Sequence, residues 1–97
     1  MEITRKSERS KLTLSVDGRV DTKTAPELEE AVKNLDGVEM LILDLAKVSY
    51  ISSAGLRVLL IAQKTMNKQG EMIVKNVAPD VMEIFEVTGF TDLLNIR

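Results

Sequence analysis

Between Lys11 and Asp17 the chain alternates without a break: Leu12, Leu14 and Val16 are apolar, while Thr13, Ser15 and Asp17 are polar. A period of two places the apolar side chains on one face of a strand, so a half-buried strand is predicted here. Met1 to Ser7 is a weaker strand candidate, separated from it by a polar turn around Glu8 to Ser10. Asp17-Gly18 reads as the turn that ends the strand, because glycine reaches positive φ at little steric cost, although Val20 can resume the strand briefly. After Thr24 the period changes. Leu28, Ala31, Val32 and Leu35 recur at helical spacing, and Asp36-Gly37 supplies a stop. Thr24-Ala25-Pro26-Glu27 has the form of a capping box: the threonine hydroxyl accepts from the third helical amide, Glu27 reaches back, and proline is tolerated in the first turn.

Met40-Leu41-Ile42-Leu43 is short and continuously apolar, which predicts a central strand buried on both faces and ending at Asp44. A second helix is predicted from about Ala54 to Gln69, with Leu56, Leu59, Leu60, Gln63 and Met66 on one side. Lys64 and Lys68 suit its negative end, and Gly70 fits a left-handed cap. Met72-Ile73-Val74 reads as another strand. Pro79 opens a third helix with Val81, Met82, Ile84, Phe85 and Val87 inside, closed by Gly89, and Phe90, Leu93, Leu94 and Ile96 pack a terminal segment back on the core. Met66, Met72 and Met82 are read as core fillers. The order β-β-α-β-α-β-α implies an α/β fold: one domain over residues 1–97, an open, mostly parallel sheet with helices packed on it through right-handed crossovers. In such sheets ligands and partners meet the carboxyl ends of the strands.

Composition narrows the chemistry. The 97 residues are 44% hydrophobic and 29% charged, as expected of one globular domain. Cysteine and histidine are both absent, which removes disulfides, thiolate nucleophiles, Cys/His zinc sites and Ser-His-Asp triads. No P-loop or Gly-x-Gly-x-x-Gly turn is present, so neither an enzyme nor a cofactor or metal of its own is expected. The net charge of −2, with lysine and arginine scattered, argues against nucleic acid, as does having only Tyr50, Phe85 and Phe90 for base stacking. No apolar run is long enough for a membrane span, and Met1-Glu2-Ile3-Thr4 lacks a signal peptide's apolar stretch, so a cytoplasmic protein without membrane contact is expected. What remains is a binding module, or a protein on which another enzyme acts.

The informative stretch runs from Leu43 to Arg57, where the chain leaves a strand at Asp44 and enters a helix through Ser52 and Ser53. Read from the residues alone, either serine is an N-cap accepting from a first-turn amide, and Gly55 is a small residue admitting close helix–sheet packing. A hydroxyl at a helix N-terminus is equally well placed to carry a phosphate, since the first amides are unpaired and the dipole favours anions. Asp44 reads as the residue that ends the strand and bonds loop amides. Asp21 reads either as a turn residue beside the helix cap or as a group near the phosphate acceptor.

The string Asp44-Leu45, Val48, Ile51-Ser52-Ser53-Ala54-Gly55-Leu56 resembles the signature of STAS domains, above all that of the bacterial anti-sigma factor antagonists. Gly18-Arg19-Val20-Asp21, followed by Thr24-Ala25, is similar to that family's Gly-x-Leu-Asp segment. The resemblance covers essentially the whole chain and implies a STAS fold with phosphorylation at Ser53, or alternatively at Ser52, which stands where the family has an aspartate. It further implies partner switching. The unphosphorylated protein binds an anti-sigma factor with a histidine-kinase-like ATPase fold, phosphorylation releases it, and a serine phosphatase restores it. Asp21, Thr24, Tyr50, Ser52, Ser53, Ala54 and Arg57 are the expected contact residues. A STAS scaffold that is never phosphorylated, within a larger signalling or transporter-associated assembly, is the second reading.

Overall fold

The computed structural model describes all 97 residues, Met1–Arg97. Strands β1 (Glu2–Glu8), β2 (Lys11–Val20), β3 (Met40–Ile51) and β4 (Glu71–Lys75) form one sheet in that spatial order. β1 and β2 are an antiparallel hairpin, while the β2–β3 and β3–β4 pairs are parallel. Helices α1 (Ala25–Ala31), α2 (Ser53–Asn67) and α3 (Pro79–Thr88) supply the connections and the flank, followed by a 3-10 turn at Phe90–Asp92.

The alternation in the chain decides which face is covered. Leu12, Leu41 and Met72 are register partners, as are Leu14, Leu43 and Val74, so these side chains line one face of the sheet. All six are buried in a single cluster with Leu28 of α1, Leu59 and Met66 of α2, and Val81 and Phe85 of α3. The three helices therefore share one face. The other face has no layer over it, so Ile42 and Met40 are only half-buried and β3 is not buried on both sides as its apolar run suggests.

Other boundaries depart from the sequence reading for identifiable reasons. β2 does not stop at Asp17-Gly18: parallel pairing with β3 carries it to Val20 through two register shifts, with Gly18 at φ 118° inside the strand. A turn-prone dipeptide has become a bulge, because a long partner strand satisfies the backbone beyond it. For the same reason β3 passes Asp44 and continues to Ile51. α1 is only seven residues long, ending at Ala31. Beyond it, Gln69 Nε2 donates to the carbonyls of Leu35 (2.6 Å) and Val38 (2.8 Å), drawing the chain out of helical path while Val32 and Leu35 still reach the core.

Gly70 is not a left-handed cap; a Cβ there would collide with the main chain of Glu39. Gly89 is one, with φ 80° closing α3. Val87, expected inside, is 81% exposed, and Leu93 is exposed as well. Met66 and Met72 are fully buried and Met82 is half-buried. The C-terminal residues do more than pack: Val74 N donates to Asn95 O (2.9 Å) and Arg97 N to Val74 O (2.8 Å), covering the outer edge of β4.

Candidate functional site

β2 and β3 end side by side, and each runs into a helix. Ser52 has extended backbone (φ −91°, ψ 175°) and is the N-cap of α2; Ser53 is the first helical residue. Ser52 N–H donates to Val20 O at 2.8 Å, which ties the start of α2 to the end of β2. Gly55 makes that approach possible, since a Cβ there would lie 2.7 Å from both Ile51 Cγ1 and Val20 Cγ1. The two serines now separate in role. Ser52 Oγ accepts from Gly55 N at 3.4 Å, a long bond at the limit of useful geometry. Ser53 is exposed and has the free hydroxyl, while helix geometry leaves the amides of Ser53 and Ala54 without intrahelical partners.

The other helix start is built differently. Asp21 Oδ1 accepts from Lys23 N (3.0 Å) and Thr24 N (3.1 Å), and Asp21 O accepts from Ala25 N (2.7 Å). The Thr24 hydroxyl accepts from Asp21 N (2.8 Å) and donates to Arg19 O (2.6 Å). The predicted capping box does not form: Thr24 has helical backbone (φ −100°, ψ −21°) and makes no side-chain cap bond. Asp21, three residues earlier, holds the Thr24 amide that Glu27 would have reached, and Glu27 N donates to the Thr24 carbonyl (2.9 Å). The Thr24 amide is the main cause holding the Asp21 carboxyl below its ordinary range; burial opposes it, and the Lys23 amide, the Thr24 hydroxyl and the Arg19 charge assist. The carboxylate is thus ionised at neutral pH and committed to its own loop.

Of the expected contact residues, Ser52, Ser53, Ala54 and Arg57 lie on the first turns of α2, and Asp21 and Thr24 on the adjoining loop. Ala54 and Arg57 also line a shallow cleft of about 130 Å³ between α1 and α2, with Thr22, Pro26, Glu29 and Ile61. Tyr50 is set apart. Val48 and Ile51 are buried against the helices, whereas Ser49 and Tyr50 between them are both exposed, so Tyr50 points to the helix-free side. There it meets Arg19, a residue the sequence reading passed over; the guanidinium carbon stands 4.5 Å from the ring centroid. Only the strand register, which makes Arg19 and Tyr50 partners, brings the pair together. Asp44 lies away from the serines. Its Oδ1 accepts from Ala46 N (3.0 Å), within β3 and not in a loop as expected, and from Asn76 Nδ2 (3.2 Å) just beyond β4.

This arrangement has relatives. The STAS domain family model matches residues 2–97. The Bordetella bronchiseptica protein BtrV, named provisionally as an anti-sigma factor antagonist, is 38% identical over 88 residues, covering 88% of this chain and 76% of BtrV. The Listeria monocytogenes anti-sigma-B factor antagonist is 33% identical, covering 89% of this chain and 78% of that protein. The chain belongs to the STAS-domain anti-sigma factor antagonists. The crystal structure of a Mycobacterium paratuberculosis anti-sigma factor antagonist matches with a TM-score of 0.88 at 25% identity, over 98% of this chain and 83% of that one. The Bacillus protein SpoIIAA matches in fold in two forms. The unphosphorylated form has a TM-score of 0.78 at 14% identity, over 99% of this chain and 87% of SpoIIAA. The phosphorylated form has a TM-score of 0.77 at 15% identity, over 99% and 91%. The anti-sigma factor antagonists, to which this chain belongs, are regulatory binding proteins. No helix of this member is long and apolar enough to cross a membrane.

Proposed function

We propose that this protein is a phosphorylation-controlled antagonist of an anti-sigma factor, with Ser53 as the switch. Unphosphorylated, it binds in the cytoplasm to an anti-sigma factor of histidine-kinase-like fold through the start of α2 and the cleft beside α1. The partner phosphorylates Ser53 with its own ATP, the added charge breaks the complex, and a serine phosphatase resets it.

The observation that carries this reading is the division of labour between the serines. Ser52 is occupied as the N-cap, whereas Ser53 presents an unengaged, exposed hydroxyl beside two open amides. A phosphate there adds about −1.5 to −2 charges at the positive end of a helix, so the domain tolerates it and the neutral interface does not. The near-equal likeness to SpoIIAA in both of its forms supports a switch that acts without refolding.

The test is to incubate the protein with ATP and the anti-sigma factor, then map the phosphate by mass spectrometry. Phosphate on Ser53 is expected. Modification confined to Ser52, or none with an active kinase, overturns the assignment. In titrations, Ser53→Ala should bind like the wild type and Ser53→Asp about tenfold or more weakly, the loss expected when charge enters a fitted interface; equal affinities would sink the charge switch.

A further inference from the structure

Arg19 rests on an aromatic ring and forms no salt bridge: the Asp21 carboxylate is near enough to feel its charge but does not pair with it. The ion pairs of the molecule are Lys33–Glu30 and Arg97–Glu71, so no carboxylate closes on Arg19. None of its guanidinium N–H groups donates within the protein, unlike those of Arg5, which reach Ala31 O. Its guanidinium carbon lies over the Tyr50 ring, and its main chain is tied as well, since Arg19 O accepts the Thr24 hydroxyl. Both side chains are exposed at the carboxyl end of the sheet, on the face opposite the helices.

A planar cation ordered on an aromatic ring, with its fork unpaired, is pre-organised for a carboxylate, because much of its rotamer entropy is lost before binding. Arginine and tyrosine are also the side chains most often found to dominate interface energetics. We infer that Arg19, seated on Tyr50, is an anchor that accepts an aspartate or glutamate side chain of the partner protein, and so helps to select which partner binds. This rests on the partner reading above and extends the contact round the strand ends: Ser53 on the helix side, Arg19 on the bare side.

The experiment is calorimetric titration of the anti-sigma factor into unphosphorylated protein at two salt concentrations. Arg19→Glu should weaken binding about tenfold or more, with the loss larger at low salt. Arg19→Lys should weaken it about fivefold, keeping the charge and losing the fork. In a cycle with Arg19→Ala and Tyr50→Ala, the double variant should lose less than the two single losses combined, because the ring acts through the guanidinium. Arg19→Glu within twofold of the wild type overturns the anchor, as does Arg19→Lys at full affinity. If Arg19→Glu fails to fold, the lysine variant and the cycle decide. A wild type that forms no complex overturns the partner reading and the anchor with it, whereas a complex indifferent to Arg19 overturns the anchor alone.

Discussion

Two helices begin within one sheet position of each other, and they are held in opposite ways. At α1, one carboxylate oxygen, Asp21 Oδ1, and one hydroxyl close a ring of bonds among Asp21, Lys23, Thr24 and Arg19. At α2 the single side-chain bond is long, and the exposed hydroxyl is uncommitted. The start of α2 is fixed instead from below, by van der Waals contact of Gly55 with Ile51 and Val20 and by the Ser52–Val20 backbone bond. Polar anchoring consumes the groups that chemistry needs. Steric anchoring leaves them free, so the second helix start can be modified without losing its position.

The largest effect that can break this contrast is at Gly55. Gly55→Ala should cost about 1–2 kcal/mol net, overpacking outweighing the helix propensity of alanine, and lower the melting temperature by several degrees. A urea titration showing Gly55→Ala as stable as the wild type would remove the steric anchor.

At the polar anchor, Asp21→Asn should destabilise the protein at neutral pH, and the gap should narrow in acid. The folded carboxyl titrates below its unfolded value, so its stabilising contribution is complete above about pH 4 and is lost as pH falls through the folded value. Thermal melts of both proteins from about pH 7 to about pH 2.5 check the sign; a gap that widens in acid contradicts it.

A smaller effect is expected at the N-cap. Because its bond is 3.4 Å long, Ser52→Ala should cost about 0.5 kcal/mol, the low end for such caps. A loss near 2 kcal/mol would mean that α2 relies on its side-chain cap as α1 does. The smallest effect sharpens the contrast most: Ser53→Ala and Ser53→Asp should both unfold within about 0.5 kcal/mol of the wild type, the aspartate on the favourable side.

Much of the fold was legible because its core is built from regular periods. Leu12, Leu14 and Val16 announced one buried face, and Leu56, Leu59 and Met66 another. The failures share a cause. Asp17-Gly18 and Asp44 look like strand ends to any local reading, but a partner strand thirty residues away satisfies their backbone and keeps the ladder going. Thr24 and Glu27 have the spacing of a capping box, yet Asp21 Oδ1 takes the Thr24 amide that Glu27 would have bonded, and Glu27 N bonds the Thr24 carbonyl. At the site, the paired serines and Gly55 could be read directly, though not which serine caps the helix, since that depends on one backbone conformation. Arg19 could not be read at all, because its meaning lies in the residue across the ladder.

The contact beneath Gly55 also bears on timing. A helix start wedged within van der Waals distance of two strand ends has no slack in which to relax, so a chemical change at its first residue is presented to a partner as soon as it is made. On the proposed reading of Ser53 as a switch, the speed of response would then be set by how quickly the partner departs, with no slow rearrangement of the domain between the message and its reading.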